Sequence, residues 1–314
     1  MTIAFMFPGQ SSRDPRMFER LRALDPEATR DVLARASRVV GRDLEAHYRP
    51  ENADAFATNR DVQVGVFVAN HAHLVALERT GVRADVSMGL SLGEYNHLVH
   101  AGAIEFEDAL ALVDARGAAY DAGPEGSMAC VFPLALDELV GTVERAREIG
   151  PLEVVNLNSP TQNVIAGARD AVAAACRWLE EERGCASVLI EDRIPMHASM
   201  FRPVAHTLAR VLHRAPWRAP RLPYLPNVTA TLEHAPTATR IAGCLTRHVF
   251  SPVLWRQSIE LVTRHTPDAI FVEVGPRTVL YNLLSRSWKR NPRFATDGDH
   301  AGFGALAGDI RRAA

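Results

Sequence analysis

The sequence has few cysteines and none of the spacing that builds covalent or metal-bound frameworks. Its 314 residues include four cysteines, and no two of them form a Cys-x-x-Cys pair. A disulfide or zinc framework normally shows as closely spaced cysteines, so we expect these thiols to be reduced side chains of the core. The composition therefore argues against a disulfide-stabilised or zinc-stabilised domain.

An excess of charge of one sign and long apolar runs are also missing. The 35 basic and 37 acidic residues leave a formal net charge of −2, which provides no electrostatic attraction for nucleic acid or an anionic membrane. No stretch approaches the roughly 20 apolar residues of a membrane span, and the first ten residues lack the basic region of a signal peptide. We expect a cytoplasmic protein with neither nucleic acid nor a membrane as its partner.

The chain does contain enough apolar material for a large core, and its first half has a recognisable order. Hydrophobic residues make up 47% of it, which suits one large domain or two unequal ones. The apolar run 2–7 predicts a buried strand, and residues 61–79 predict a buried helix. Residues 84–88 then lead into Gly89, and a helical pattern begins at Leu92. That pattern predicts a strand, a sharp turn and a helix.

The middle of the chain follows a different pattern. Strands are predicted at 127–132, 152–158, 162–168 and 185–190, and helices at 135–149 and 169–183. The order β-α-β-β-α-β is ferredoxin-like. We therefore expect an α/β protein in which a large α/β-hydrolase-like domain (1–124 and 192–314) contains an inserted ferredoxin-like subdomain (125–191). The charged, glycine-containing residues 289–314 are expected to form a loosely attached tail.

The sharpest local motif is Gly89-Leu90-Ser91-Leu92-Gly93, a Gly-x-Ser-x-Gly sequence. Chemistry at such a serine needs a tight strand-to-helix turn, which the glycines permit, so that the hydroxyl projects at the helix N-terminus. The helix dipole and the N–H of Leu92 would there face any oxyanion that forms. The alternative is that Ser91 is only a turn residue that caps the helix.

A serine nucleophile needs a base, and the chain has twelve histidines. His71 and His73 lie two apart on a predicted helix and face different ways. His97 and His100 could share a face but lack a third ligand at metal-site spacing, so no metal site is expected. His197 lies where an extended segment turns into a helix at a domain boundary. It is the candidate base, and a capping or core histidine is the alternative interpretation.

Seven short motifs occur in a fixed order along the chain: Pro8-Gly9-Gln10-Ser11, Gly89-Leu90-Ser91-Leu92-Gly93-Glu94, Arg116-Gly117, Asn156-Leu157-Asn158-Ser159-Pro160-Thr161-Gln162, Pro195-Met196-His197, Ser251-Pro252-Val253-Leu254-Trp255 and Glu273-Val274-Gly275-Pro276. Their order and spacing resemble the malonyl-CoA:acyl-carrier-protein transacylase family, which includes the acyltransferase domains of polyketide synthases. The resemblance extends from about residue 3 to residue 286.

The resemblance implies a role for individual residues at the reacting centre. Ser91 matches the family nucleophile and His197 its general base. A backbone carbonyl at the position of Leu254 would orient that histidine in place of an aspartate. The backbone N–H groups of Gln10 and Leu92 match the oxyanion hole.

The resemblance also implies how the acyl group is held. Arg116 matches the arginine that grips the free carboxylate of a malonyl-type group, and Gln63 matches a glutamine that lines the active site. Met196 occupies a position that touches the substituent on the α-carbon of the acyl group. The alternative interpretation of Arg116 is a solvated cation at the end of a helix over about 106–117.

Three departures from the family pattern occur, one of which is Met196, where the family often has Phe or Ser before the histidine. Leu90 replaces the histidine of the usual GHSLGE sequence, a form similar to discrete acyltransferases that serve polyketide assembly lines in trans. The usual PGQGSQ is PGQSSR here, with Ser11 and Arg13 at the altered positions. The change to PGQSSR perturbs the loop beside the expected oxyanion hole, although the backbone donor of Gln10 can survive it.

The expected reaction is transfer of a malonyl-type group from CoA to the phosphopantetheine thiol of an acyl carrier protein through acyl-Ser91, in polyketide or fatty-acid biosynthesis. No metal or redox cofactor is required. One alternative is a hydrolase that clears stalled acyl groups from carrier proteins, and another is a catalytically silent module that only binds a carrier protein. Arg116 favours transfer over hydrolysis, because neutral chains gain nothing from a buried cation. Retention of both Ser91 and His197 argues against the silent module.

Overall fold

Two separate four-stranded sheets organise the chain, which the computed structural model describes over residues 1–314. The strands in chain order are β1 (Ile3–Phe7), β2 (Val86–Gly89), β3 (Ser127–Phe132), β4 (Leu152–Ser159), β5 (Gln162–Gly167), β6 (Ala186–Glu191), β7 (Ile270–Glu273) and β8 (Arg293–Ala295). β1, β2, β7 and β8 form one sheet, and β3 to β6 form the other.

Thirteen helices cover these sheets: α1 (Met17–Leu24), α2 (Pro26–Val40), α3 (Leu44–His47), α4 (Asn59–Arg79), α5 (Gly93–His100), α6 (Phe106–Asp121), α7 (Leu136–Ala146), α8 (Arg169–Arg183), α9 (Arg202–Leu212), α10 (Ala238–His248), α11 (Trp255–His265), α12 (Val279–Ser287) and α13 (Phe303–Ala313). None of them combines the length and apolar character needed to span a bilayer.

The first sheet is entirely parallel, in the order β2-β1-β7-β8. Along its central strand, Phe5 and Phe7 enter one hydrophobic core, whereas Ala4 and Met6 enter a second core on the opposite face. Successive side chains of a strand point to opposite faces, so this alternation means that both faces are covered. The carboxyl ends of β1 and β2 therefore meet at one protected edge, which is the usual location of sites in parallel α/β sheets.

The second sheet is antiparallel, in the order β4-β5-β3-β6. The predicted β-α-β-β-α-β order is present, and α8 begins and ends where the pattern places it. α7 and α8 pack on this sheet around a separate core of 13 residues. Two hydrogen bonds tie the sheet to the loop before α11, from Leu157 N–H to the Val253 carbonyl and from Val253 N–H to the Val155 carbonyl.

Two local expectations are wrong. Residues 289–314 are not a loose tail, because they supply β8 to the parallel sheet and an α13 whose Phe303, Leu306 and Ile310 are buried. α6 does not end at Gly117 but continues to Asp121. A Cβ at Gly117 would lie 2.4 Å from the Cα of Arg60 on α4, so this glycine allows two helices to approach closely and does not break one.

Candidate active site

Ser91 lies at the apex of the turn between β2 and α5 and has a φ of +52°. The turn is so tight that a Cβ at Gly89 would lie 1.9 Å from the carbonyl oxygen of Gly93. A Cβ at Gly93 would in turn lie 2.1 Å from the carbonyl oxygen of Phe7 on β1. Because only glycine fits at both positions, the Gly-x-Ser-x-Gly sequence is a steric requirement of this turn.

The side chain of Asn227 holds the turn from the opposite side. Its Oδ1 accepts a hydrogen bond of 2.8 Å from the backbone N–H of Ser91, and its Nδ2 donates to the Gly89 carbonyl at 2.7 Å. A left-handed φ is costly for a residue with a Cβ and persists only where its surroundings enforce it. Sequence reasoning missed Asn227, which lies in a loop segment without periodicity.

Ser91 and His197 meet although 106 residues separate them. The Oγ of Ser91 lies 2.8 Å from the Nε2 of His197, and both residues are buried. His197 also has a left-handed backbone, with a φ of +66°. Two strained non-glycine residues in one hydrogen-bonded pair are typical of a functional centre.

The carbonyl that orients His197 belongs to His248 and not to Leu254, so that expectation is corrected. The Nδ1 of His197 lies 2.7 Å from the carbonyl oxygen of His248, the last residue of α10. Carbonyls at a helix C-terminus lack partners within the helix and are free to accept. The carbonyl of Leu254 instead accepts from the N–H of Ser258 at the start of α11. α10 was not predicted from the sequence.

The carbonyl partner determines the protonation pattern of His197. A carbonyl only accepts, so Nδ1 carries the proton and Nε2 presents its lone pair to Ser91. Burial lowers the pKa of His197 well below its usual value, and the neighbouring His248 and Arg116 lower it further. At neutral pH the imidazole is therefore unprotonated at Nε2 and can accept the hydroxyl proton of Ser91.

Two backbone donors lie beside the turn. The N–H of Leu90 donates to the carbonyl of Phe7, the last residue of β1, at 2.9 Å. This bond holds the turn beside the segment that leads from β1 to Gln10. No hydrogen bond within the chain uses the backbone N–H of Gln10 or of Leu92. Free N–H groups next to a buried serine are available to an oxyanion.

Arg116 is 1% exposed, which rules out the solvated helix-end interpretation. Its Nη1 donates to the Oε1 of Gln63 at 2.5 Å, and Gln63 in turn donates to Asn59. Its guanidinium lies 4.2 Å from the ring centroid of Tyr120 and 5.7 Å from that of Tyr95 on α5. Nη2 is buried without a partner. A buried cation with an unused hydrogen-bond donor can bind an anion.

The remaining candidate residues lie within the packed interior. Met196 precedes His197 and belongs to the large core, whereas Leu90 packs in the second core. His71 stacks on Phe106, and the Nδ1 atoms of both His97 and His100 lie 2.8 Å from the Oγ of Ser87. No group of three or more histidine, cysteine, aspartate or glutamate side chains is arranged to hold a metal ion.

A buried serine on a strand-to-helix turn, paired with a neutral histidine and flanked by free N–H groups, is typical of enzymes that form acyl-serine intermediates. The comparison with known families is more specific. The family model described as "Acyl transferase domain" matches residues 4–312. The chain belongs to this acyl transferase family.

Relatives cover nearly the whole chain. It is 34% identical over 290 residues to the malonyl CoA-acyl carrier protein transacylase of Escherichia coli K12, covering 90% of this chain and 92% of that protein. It is also 32% identical to the polyketide biosynthesis protein ThaF of Burkholderia thailandensis, and that match covers 90% of this chain but only 24% of ThaF. A solved structure, of a type II polyketide acyl-carrier protein in complex with its malonyl-transacylase, superposes with a TM-score of 0.90 and 30% identity. The match covers 98% of this chain and 100% of the matched chain.

Proposed function

We propose that this chain is an acyl-carrier-protein S-malonyltransferase that moves a malonyl group from CoA to the phosphopantetheine thiol of a carrier protein, in fatty-acid or polyketide biosynthesis. The family and the similarity to malonyl transacylases support the reaction class. The observation that carries the substrate assignment is the buried, incompletely paired guanidinium of Arg116. It contacts Tyr95 on α5, the helix that starts two residues after Ser91.

In the first half-reaction, the Nε2 of His197 takes the hydroxyl proton as the Oγ of Ser91 attacks the thioester carbonyl of malonyl-CoA. The oxyanion is stabilised by the N–H groups of Gln10 and Leu92. The imidazolium that forms keeps its Nδ1 bond to the His248 carbonyl. As the tetrahedral intermediate collapses, the C–S bond breaks and His197 returns the proton to the CoA thiolate, which leaves malonyl-Ser91.

In the second half-reaction, the carrier thiol attacks the ester carbonyl of malonyl-Ser91. His197 takes the thiol proton, the same backbone donors stabilise the oxyanion, and the proton passes to the Oγ of Ser91 as the C–O bond breaks. Each half-reaction returns the imidazole to its neutral form. The chemistry is a proton-balanced acyl exchange and needs no redox cofactor or metal.

Arg116 favours malonyl transfer over hydrolysis of neutral acyl chains. Its planar guanidinium can bind a carboxylate through two parallel hydrogen bonds, a role that lysine fills poorly. Gln63 would hold the guanidinium in place through its 2.5 Å contact with Nη1. A hydrolase for neutral chains would bury this cation without gain, since an unpaired buried charge is costly.

Finer assignments follow from the same residues. Met196, next to His197, would line the space for the α-substituent of the acyl group. Leu90, in place of the family histidine, supports a discrete acyltransferase that acts in trans on a polyketide assembly line. We also propose that residues 1–124 and 192–314 form an α/β-hydrolase-like unit, and that 125–191 form a ferredoxin-like insertion; the sheet order β4-β5-β3-β6 supports the insertion.

The test is intact-protein mass spectrometry after brief exposure to malonyl-CoA. The wild type should gain one malonyl group on the peptide that contains Ser91, and Ser91→Ala should gain none. Ser127→Ala removes another buried serine hydroxyl and is the matched control, which should label like the wild type. Labelling that persists in Ser91→Ala would reject Ser91 as the nucleophile.

A further inference from the structure

A carboxylate is buried close to the Ser91–His197 pair without touching either residue. Glu94 on α5 is 0% exposed. Its oxygens accept from the hydroxyl of Tyr224 and from the backbone N–H of Asn227 at 3.3 Å, and its Oε2 lies 3.0 Å from the Nδ1 of His248. These converging contacts match an ionised carboxylate, which only accepts.

A buried anion requires a cation, and His248 is the one basic side chain in contact with Glu94. His248 is itself 2% exposed. The other titratable groups nearby are neutral, because burial raises the pKa of Tyr224 and Tyr95 above the usual value and that of Cys244 to about 11. The contact and the burial make His248 the side chain that can balance the charge of this carboxylate.

His248 contacts the candidate base in two ways. Its carbonyl accepts from the Nδ1 of His197 at 2.7 Å. Its ring also stacks on the ring of His197, with centroids 4.8 Å apart and an interplanar angle of 22°. One residue therefore links the buried carboxylate to the imidazole that faces Ser91.

We infer that Glu94 and His248 are a positioning pair for His197: Glu94 keeps His248 protonated, and the stacked imidazolium keeps His197 neutral in mildly acidic solution while the carbonyl fixes its orientation. The inference rests on the proposed role of His197 as the base. His197 contacts Ser91 and His248, and the charge of Arg116 also lowers its pKa. Burial opposes a further proton on His197 and the two neighbouring cations add to that effect, so the active form of the base persists at a pH where an ordinary imidazole would be charged.

The first test uses the wild type. In ¹⁵N-histidine NMR spectra at pH 7, His248 should have both ring nitrogens protonated, and His197 should be the neutral Nδ1–H form. The variants His248→Gln and His197→Ala assign the signals. A non-protonated ring nitrogen on His248 at pH 7 would overturn the inference, whatever the variants do to catalysis.

The second test is the pH profile of Ser91 acylation by malonyl-CoA. His248→Gln keeps the carbonyl and removes the stacked charge, so the pKa of His197 should rise and the acid limb should move up by on the order of one pH unit. Near pH 8 the rate should stay within about threefold of the wild type, whereas on the acid limb itself it should fall by up to about tenfold at a given pH. An unmoved acid limb in folded protein would overturn the inference.

The third test asks whether the two residues act together. Glu94→Gln should move the acid limb in the same direction as His248→Gln, and the double variant should move it no further. A shift in the opposite direction would mean that His248 keeps its charge without Glu94, which contradicts the pair.

Glu273→Gln is the matched control, because Glu273 is another fully buried acidic side chain, and its carboxyl group accepts from the backbone of α12. It should lower stability and leave the profile in place. The acyl-enzyme test with Ser91→Ala and His197→Ala is independent. If those variants still acylate, the proposed function fails; if they do not and the profiles are unmoved, only the positioning pair fails.

Discussion

The stretch 125–191 and the rest of the chain differ in what they bury. The stretch 125–191 buries five polar side chains, all of them neutral serines and asparagines: Ser127, Asn156, Asn158, Ser159 and Asn163. The rest of the chain buries nine acidic, arginine or histidine side chains: Asp61, His71, His73, Glu94, His97, Arg116, His197, His248 and Glu273. An ionisable side chain in the core must either be paired or give up its charge, and both cost stability, so this concentration has to be explained by what those residues do.

Backbone strain follows the same division. The four non-glycine residues with positive φ are Ser91, His197, Ala230 and Arg277, and none of them lies in 125–191. The smaller stretch is therefore a packing unit with a core of its own, fixed through Val253 to the loop before α11. The larger part holds the strained and ionisable groups. The difference indicates that catalysis depends on the larger part.

The largest expected effect is on His197. His197→Ala should slow both acylation of Ser91 and transfer to the carrier thiol by about 10²- to 10⁴-fold, since the same imidazole serves as base and then as acid. Rapid-quench kinetics of each half-reaction would measure this loss. His71→Phe, which alters another buried histidine, is the control and should retain activity. A strict requirement for one aspartate would instead reveal a serine–histidine–aspartate triad and contradict the carbonyl-held histidine.

Arg116→Ala should give the next largest effect, and it should be selective for substrate charge. Removing one member of a buried charged pair costs roughly 2–5 kcal/mol, so malonyl acylation should fall by about 30- to several-thousand-fold. Acetyl-CoA should lose far less, because no carboxylate is then left unpaired. Acylation of Ser91 by both thioesters in wild type, Arg116→Ala and Arg116→Lys provides the comparison. Equal losses for both substrates would make Arg116 structural.

How much could be predicted from the sequence depended on how local each feature is. The turn at Ser91 was predictable because its glycine requirement acts within five residues, and β3 to β6 followed from short periodic runs. The His248 carbonyl was not predictable, because any residue supplies a backbone carbonyl. A signal for α10 was present, since Thr237 caps the helix and Ile241, Leu245 and His248 share one buried face.

Features that join distant segments could not be predicted from local sequence patterns. Glu94 stands in the Gly-Leu-Ser-Leu-Gly-Glu motif, but its partners Tyr224 and His248 lie 130 or more positions away, in segments without a motif of their own. The C-terminal residues were misjudged for another reason. Their charge and glycine content suggested a tail, whereas Phe303, Leu306 and Ile310 have the i, i+3, i+7 spacing of a packed helix.

The buried histidines outside 125–191 predict acid sensitivity. Burial lowers the pKa of His71 and His97 to about 3 and that of His73 and His100 to about 4. Below about pH 6.5 the unfolded chain binds protons that the folded chain does not, so stability falls as pH drops from 6.5 towards 4. Each histidine contributes about 1.4 kcal/mol per pH unit across that window. Urea unfolding at pH 7, 6 and 5 would measure how steeply the free energy of unfolding changes with pH. His71→Phe should reduce that slope by the contribution of about one proton. An unchanged slope would mean that His71 is protonated when folded.

The smallest effect on chemistry is expected from the core of the stretch 125–191. Leu139 on α7 is 0% exposed in that core, and Leu139→Ala should cost about 2–5 kcal/mol of stability. The acylation rate of the folded fraction should stay within about twofold of the wild type, because the residues that hold Ser91 and His197, namely Asn227 and His248, lie outside this stretch. Leu98→Ala is the matched change, since Leu98 is equally buried but lies on α5, the helix that follows Ser91 and carries Tyr95 and Glu94. It should cost similar stability but slow acylation by about tenfold or more, because small displacements of reacting groups are expensive. If Leu139→Ala slowed acylation as much as Leu98→Ala at matched folded fraction, the smaller stretch would be part of the catalytic framework and the division between the two regions would not hold.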